Sequence, residues 1–238
     1  MTTDRTLKDA TIAYYEDQAE TFFAETVAVD MAPLYARFLA HVPPGGHILD
    51  AGCGSGRDAL AFRRLGYSVT AFEASPALAQ LASSHCGLPV EVRRFQEIDW
   101  EDRFDGIWAC ASLLHVPMAE LPDVLRCLGR ALKPDGVLYA SFKYGAGERE
   151  HGERRFTDLD EDGLAALVEA VPALAVVDVW VTGDRRPGRE AERWLNAVVA
   201  RGSASRTAQR PSVRPNGSDW HQSSGPACRV SPTARDRR

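Results

Sequence analysis

The sequence lacks long apolar runs, paired cysteines and a leader-like start, and each absence excludes a class of protein. None of its hydrophobic stretches approaches the roughly 18 to 20 residues that a membrane-spanning helix needs. Residues 1–10 mix acidic and basic side chains without an apolar core, so we expect no secretory signal there. The five cysteines are odd in number and include no C-x-x-C pair, which argues against a disulfide framework or a structural zinc site. We therefore expect a cytoplasmic protein that contacts no membrane and holds no metal.

What the 238 residues do contain is the composition of a folded globular protein, 45% hydrophobic and 26% charged. The formal net charge of -5 hides an asymmetry, because the segment 202–238 carries seven Arg against two Asp. That segment is rich in Ser, Pro and Gly, and its few apolar residues follow no period. We expect residues 202–238 to form a disordered basic tail.

The remaining sequence alternates between helix-like and strand-like segments. Residues 1–45 predict a helical N-terminal cap that consists of two helices, Thr6–Val27 and Met31–Val42. Residues 46–201 predict strands that alternate with helices, which is typical of a parallel sheet covered on both faces. The expected fold is therefore α/β, with a Rossmann-like, doubly wound sheet of seven strands.

The last two of these strands, Ala175–Thr182 and Arg193–Ala200, follow each other without a crossover helix. We expect them to form an antiparallel C-terminal hairpin at the sheet edge. The polar stretch Gly145–Arg155 is too long for a tight turn, and we expect it to be a loop.

The most informative motif is a glycine-rich turn at residues 50–56, between the first strand and its helix, where doubly wound sheets bind ligands. A dinucleotide fold spaces its glycines as G-x-G-x-x-G and seats a pyrophosphate on the helix N-terminus. Here the spacing is D-x-G-x-G-x-G, with Asp50 two residues ahead of Gly52. A carboxylate at that point would repel a pyrophosphate, but it suits a cofactor with an ammonium group. The spacing therefore argues against an NAD-dependent enzyme.

A second acidic residue, Glu73, directly follows the second strand. A carboxylate there can accept hydrogen bonds from both hydroxyls of a ribose. A ribose together with a charged amine, without phosphate, describes S-adenosylmethionine better than a nicotinamide cofactor.

At this point the sequence resembles the class I S-adenosylmethionine-dependent methyltransferases. The resemblance spans about residues 10–200 and continues, in the family's order, through Phe104–Trp108, Leu113–Val116 and Leu132–Gly136. In size and general pattern it is loosely similar to methyltransferase types 11 and 12 and to the tellurite-resistance type. The resemblance implies a methyltransferase domain over residues 46–201 with S-adenosyl-L-methionine as its cofactor.

The resemblance also implies which residues hold that cofactor. Asp50, Gly52 and Gly54 would hold the methionyl part, Glu73 the ribose, and Ala74 the adenine. The complete implied set is Asp50, Ala51, Gly52, Cys53, Gly54, Glu73, Ala74, Gln96, Glu97, Ala111 and, in the cap, Tyr15.

Candidate residues for the methyl acceptor follow the fourth and fifth strands. His115 is a candidate general base, because a neutral imidazole takes up a proton near pH 7, although its role can equally be structural. Lys143 and Tyr144 either touch the substrate or face solvent. The arginines at 149, 154 and 155 form either a cationic lid for an acidic substrate or a solvated charge run.

Three functions stay open on the sequence alone. The leading hypothesis is a methyltransferase with a small-molecule acceptor, because the chain has no large substrate domain. A tRNA or other RNA methyltransferase that uses the basic tail is the second hypothesis. The third is a non-catalytic protein that binds S-adenosylmethionine. The absence of an Asn/Asp-Pro-Pro-Tyr motif argues against methylation of adenine in nucleic acid.

Overall fold

A computed structural model describes the backbone of residues 2–202 and the side chains of residues 10–202. The predicted disordered tail therefore lies, from residue 203 onward, outside the described residues. The helices are α1 (Thr2–Asp17), α2 (Ala19–Thr26), α3 (Ala32–Leu39), α4 (Arg57–Arg64), α5 (Pro76–Cys86), α6 (Leu121–Ala131) and α7 (Glu161–Glu169). The strands are β1 (His47–Ala51), β2 (Ser68–Glu73), β3 (Val90–Val92), β4 (Phe104–Ala109), β5 (Leu132–Lys143), β6 (Gly147–His151), β7 (Arg154–Asp158), β8 (Leu174–Gly183) and β9 (Arg193–Arg201).

Seven of these strands form one sheet in the order β3-β2-β1-β4-β5-β9-β8. Strands β1 to β5 pair in parallel, whereas β9 runs antiparallel to both β5 and β8. This topology confirms the Rossmann-like seven-stranded sheet and its C-terminal hairpin. The strand order reverses between β1 and β4, which opens a crevice at the carboxyl ends of these two strands.

The central strands bury alternate residues in two separate cores, as a doubly covered sheet requires. On one face Trp108 and Tyr139 stack with ring centroids 3.9 Å apart, and Phe38 of α3 and Phe62 of α4 pack against Trp108. On the other face Ile107 belongs to the core that α6 and α7 cover. Full burial of a large apolar side chain contributes about 1.5 to 3 kcal/mol, so these layers fix the helices on the sheet.

The N-terminal helix predicted over Thr6–Val27 is two helices, so the prediction of one continuous helix was wrong. Gln18, with φ −104° and ψ 16°, leaves the helical region and separates α1 from α2. The break lets α1 lie against β7 and α5 while α2 packs on α5. Tertiary contacts with the sheet domain, and not helix propensity, decide the position of the break. In the described residues no helix has the length and apolar composition to cross a membrane.

The polar stretch Gly145–Arg155, expected to be a loop, contains a second hairpin, so this prediction was also wrong. Strand β6 pairs antiparallel with β7 from Gly147↔Asp158 to His151↔Arg154. All five residues of β6 are exposed, so the strand shows no alternation of apolar and polar residues. Strand β7 holds the hairpin on the body of the protein, because Phe156 is buried and Thr157 donates a 2.8 Å hydrogen bond to the Val116 carbonyl.

A buried carboxylate, Asp58 at the start of α4, ties three elements together. It accepts hydrogen bonds from Arg57 (2.6 and 2.9 Å), from Trp108 Nε1 of β4 (2.8 Å) and from the Tyr35 hydroxyl of α3. Together these donors hold the pKa of Asp58 below its usual value, against the opposing effect of burial.

We predict that Asp58→Ala lowers the free energy of unfolding by about 3 to 5 kcal/mol, because it leaves the buried Arg57 charge without a partner. The matched control is Asp123→Ala, which removes an exposed ion pair with Arg126 and should cost less than about 1 kcal/mol. Urea unfolding measures both values. Equal losses in the two variants would contradict the role of Asp58.

Candidate active site

A cavity of about 950 Å³ lies at the carboxyl edge of the parallel strands. Its walls come from the glycine loop after β1, from the ends of β2, β4 and β5, from α1 and from the β6–β7 hairpin. The volume is within the range of clefts that bind small ligands. The cavity therefore reaches from the glycine loop to the hairpin that the sequence reading missed.

Of the candidate residues, all but Asp50, Ala51 and Arg155 line this cavity. The lining includes Gly52, Cys53, Gly54, Glu73, Ala74, Gln96, Glu97, Ala111, Tyr15, His115, Lys143 and Tyr144. Asp50 and Ala51 are absent from the lining because they are buried at the end of β1, beneath the loop.

The glycine loop needs its glycines for conformation and for space. Gly52 and Gly56 have φ values of +70° and +72°, which L-residues with side chains rarely adopt. A Cβ on Gly52 would come within 2.7 Å of Ser112 Cβ, and one on Gly56 within 2.9 Å of the Ala82 carbonyl oxygen. The loop is thus packed against the turn that follows β4 and against α5, and neither Gly52 nor Gly56 has room for a side chain.

Beneath the loop, Asp50 carries a polar atom without a protein partner. Its Oδ2 is buried and accepts no hydrogen bond within the described part of the chain. Burial, together with the neighbouring negative charge of Asp58, raises the pKa of Asp50 well above its usual value. Such an atom is costly unless a proton or a cationic group satisfies it.

Glu73 is fixed by three backbone donors at the end of β2. Its Oε2 accepts from the Gly54 N–H at 3.0 Å, and its Oε1 accepts from Ala74 and Ser75 at 2.8 and 3.2 Å. Burial raises the pKa of Glu73, and the three N–H groups oppose that rise. Since a carboxylate offers about four acceptor sites, Oε2 keeps one free for a ligand hydroxyl.

The remaining cofactor candidates lie on turns after β3 and β4. Gln96 and Glu97 belong to one 3₁₀ turn, where Gln96 donates to Glu120 and Glu97 accepts from the Arg94 N–H. Ala111 has φ +52°, a left-handed conformation that costs a non-glycine residue free energy. Its N–H donates a 2.8 Å hydrogen bond to Ser141 Oγ, which holds this strained turn against the cavity.

At the other end of the cavity, His115 and Tyr15 form a buried pair. His115 Nδ1 lies 2.8 Å from the Arg155 carbonyl oxygen, and since a carbonyl only accepts, Nδ1 carries the proton. Nε2 therefore accepts the 2.8 Å hydrogen bond from the Tyr15 hydroxyl. Burial lowers the pKa of His115 to about 4 and raises that of Tyr15. The pair is neutral near pH 7, and the imidazole lone pair is already occupied.

Lys143 and Tyr144 lie on the rim of the cavity, and each side chain is bound to an acidic residue. The Lys143 ammonium pairs with Glu192, lies 3.5 Å from Asp184 and packs over the Trp194 ring. The Tyr144 hydroxyl donates a 2.9 Å hydrogen bond to Glu161. The positive charge of Lys143 is thus balanced within the protein.

Sequence reasoning missed one cationic side chain of the cavity lining, Arg57, and left the role of another, Arg154, open. Arg57 sits against Asp58 and donates to the Thr26 carbonyl of α2 at 3.3 Å, which connects the cap to the glycine loop. The sequence signal that could have identified Arg57 is its place next to Asp58 in the first turn of α4. Arg154 was noticed as part of a charge run, but its place beside Tyr14 and Tyr15 depends on a contact across 139 positions of sequence.

Residues 23–154 match the family model of a methyltransferase domain, which is more than half of the chain. The sequence is also similar to the ubiquinone biosynthesis O-methyltransferase of Xanthomonas campestris pv. campestris, with 32% identity over 105 residues. This match covers 41% of the present chain and 43% of the relative, so it spans less than half of that curated protein's length.

Among solved structures, the fold is similar to the 1,6-didemethyltoxoflavin-N1-methyltransferase of Burkholderia thailandensis, which was solved with 1,6-didemethyltoxoflavin and S-adenosylhomocysteine bound. The TM-score is 0.67 at 26% identity, over 84% of this chain and 89% of that one. A TehB-like methyltransferase from Corynebacterium glutamicum shares the fold with a TM-score of 0.58 at 22% identity, over 79% and 98% of the two chains. The methyltransferase-domain model matches more than half of the chain, and a solved methyltransferase shares the fold over 84% of it. We conclude that the chain belongs to the class I S-adenosylmethionine-dependent methyltransferase family.

Proposed function

We propose that this protein transfers a methyl group from S-adenosyl-L-methionine to a small-molecule acceptor. The observation that carries the proposal is the continuous cavity, which joins the glycine loop and Glu73 at one end to Tyr15 and His115 at the other. When bound, the cofactor supplies a methyl group already activated on a sulfonium. The protein then has to align the acceptor with it and exclude water, which is catalysis by proximity.

The residues present fit this cofactor. Glu73 keeps an acceptor site for a ribose hydroxyl, and Gly52 and Gly54 line the cavity without side chains. The unpartnered Oδ2 of Asp50 places an acceptor beneath the loop, where an ammonium group is expected to lie. Ala74, Gln96 and Glu97 line the wall on the adenine side in this proposal.

Residues 1–45 act in this proposal as a cap over the domain formed by residues 46–201. Glu16 of α1 accepts hydrogen bonds from Ser75 Oγ (2.6 Å) and from the Ala77 N–H (2.9 Å), so it caps the N-terminus of α5. Phe22 of α2 lies within 3.2 Å of where a Cβ on Gly54 would stand. The two helices thereby enclose the cavity from the side of the glycine loop.

His115 acts in this proposal as a positioning residue, although it was a candidate general base. Its Nε2 is occupied by the Tyr15 hydroxyl, and its low pKa makes it a weak proton acceptor. By holding the Tyr15 proton, it leaves the lone pairs of the Tyr15 oxygen directed away from the imidazole. The Tyr15 side chain, oriented in this way, lines the cavity beside Arg154.

A small-molecule acceptor is supported over RNA by the enclosed cavity and by the relatives. The Burkholderia relative was solved with 1,6-didemethyltoxoflavin bound, and the Xanthomonas relative is named for ubiquinone biosynthesis. The basic tail on which the RNA alternative depends lies outside the described residues.

Cys53, Cys86, Cys110 and Cys127 are free thiols, which supports a reducing, cytoplasmic location for the protein.

We predict that Glu73→Gln weakens binding of S-adenosylhomocysteine by roughly 10- to 100-fold, because loss of a charged hydrogen-bond acceptor costs about 1.5 to 3 kcal/mol. Isothermal titration calorimetry measures the change. Glu169→Gln, an exposed position at the end of α7, is the control and should bind like the wild type. A wild-type protein that binds NAD and not S-adenosylhomocysteine would falsify the proposed cofactor.

A second prediction concerns acid stability. The pKa of His115 is about 4 in the folded protein and about 6.5 when unfolded, so between these values only the unfolded chain takes up the proton. Stability should therefore fall as the pH drops from about 6.5 to 4, and His115 should account for up to about 3 kcal/mol of that loss.

Urea unfolding of wild type and His115→Asn at pH 7 and pH 4.5 measures this contribution as the difference between the two pH dependences. His41→Asn, which changes an exposed histidine, is the control and should keep the wild-type pH dependence. If His115→Asn also keeps it, His115 is not the neutral, buried group described here.

A further inference from the structure

The acceptor end of the cavity contains a cation that the proposed mechanism does not use. Arg154, the first residue of β7, is half-buried and lines the cavity. Its guanidinium carbon lies 4.4 Å from the centroid of the Tyr14 ring, 5.3 Å from that of Phe156 and 6.0 Å from that of Tyr15. The aromatic rings of α1 and β7 thus hold the planar guanidinium in place.

This guanidinium has no carboxylate partner among the described residues. Its Nε is buried and makes no hydrogen bond within residues 10–202. Other cations of the cavity wall are neutralised: Lys143 by Glu192, Arg149 by Asp158 and Arg186 by Asp184. A half-buried charge without a counter-ion is costly, and a ligand that brings a negative charge removes that cost.

A negatively charged ligand group that pairs with Arg154 would lie beside the proposed reaction centre. Burial has the largest effect on the pKa of both Tyr15 and His115. Arg154 lowers the pKa of Tyr15 through a side-chain hydrogen bond and through its positive charge, and its charge also lowers the pKa of His115, so Arg154 lies next to the pair at the acceptor end. An anion paired with Arg154 would therefore lie beside the Tyr15–His115 pair. The Tyr15 hydroxyl occupies the His115 lone pair, so this imidazole is not a free general base.

We propose that Arg154 determines acceptor specificity and that the acceptor is a small aromatic molecule carrying a negatively charged oxygen, a carboxylate or an acidic hydroxyl, which pairs with this guanidinium. This inference rests on the proposed methyltransferase function and names its substrate class. An acceptor that arrives deprotonated needs no base. When its anionic oxygen is the nucleophile, an O–CH₃ bond forms as the S–CH₃ bond breaks, and the electron pair of that bond returns to sulfur. No proton has to move.

The aromatic walls agree with a flat acceptor. Phe156 is tilted against the His115 ring with centroids 5.0 Å apart, and Tyr15 meets the same imidazole edge-on at 5.3 Å. Tyr15, His115 and Phe156 all line the cavity, so its acceptor end has aromatic walls. An aromatic ring that carries a charged oxygen would pack against these walls and pair with the Arg154 guanidinium.

The experiment uses the full chain saturated with S-adenosylhomocysteine and compares matched probes. Benzoate and 2-hydroxybenzoate carry the charge, and benzamide and 2-hydroxybenzamide are their neutral counterparts. Ligand-observed NMR titration should show that the wild type binds the carboxylates at least about tenfold more tightly than the amides. Arg154→Met should abolish this preference while its affinity for S-adenosylhomocysteine stays within about twofold of the wild type.

Arg193→Met is the matched control, because Arg193 is an exposed cation of the same rim that stacks over Tyr144. It should keep the preference for the carboxylates. Arg154→Gln, which removes the charge and retains an N–H donor, should lose the preference as well, and it replaces Arg154→Met if that variant does not fold.

The proposal is overturned if the wild type binds S-adenosylhomocysteine but does not prefer the carboxylates. It is equally overturned if both Arg154 variants keep the preference, or if Arg193→Met loses it. Failure of the proposed function itself is a different result, in which the wild type does not bind S-adenosylhomocysteine at all.

Discussion

The buried carboxylate of Asp58 is the constraint on which the rest of the structure depends. Its oxygens are bonded to α3 through Tyr35, to β4 through Trp108 and to its own neighbour Arg57. Arg57 in turn contacts the Thr26 carbonyl, so the bonds extend to the second cap helix. One ionised group thus sets the distances among the sheet, the glycine loop and the cap. Its charge also contributes to the raised pKa of Asp50 beneath the loop.

This arrangement divides the cavity into two chemically different ends. At the glycine loop, buried carboxylates face a backbone that is rich in N–H donors, and Glu73 is held by three of them. At the hairpin, a neutral Tyr15–His115 pair lies beside the guanidinium of Arg154, which has no acid of its own among the described residues. A cofactor with an amine and a ribose fits the first end, and an anionic ring fits the second.

Much of the fold could be predicted because it depends on local signals. The strand His47–Ala51 has the bounds that its apolar run and the flanking glycines indicate. The doubly wound, seven-stranded sheet follows from strands that alternate with helices, and the C-terminal hairpin follows from two strands without a helix between them. The sequence pattern failed at Gln18 and in β6, because neither position carries an apolar period. Contacts with α5 and with β7 decide the structure there.

By itself, the sequence determined the glycine loop, the acid after β2 and therefore the proposed cofactor end of the cavity, because these residues act through backbone conformation and neighbours close along the chain. Only the tertiary structure decided that Asp50 lies beneath the cavity wall and that Tyr15 occupies the lone pair of His115. It also decided that Arg154 lies against rings of α1. These contacts join residues 100 or more positions apart in two cases, and their geometry depends on how the cap and the hairpin pack on the sheet. No local pattern encodes that packing.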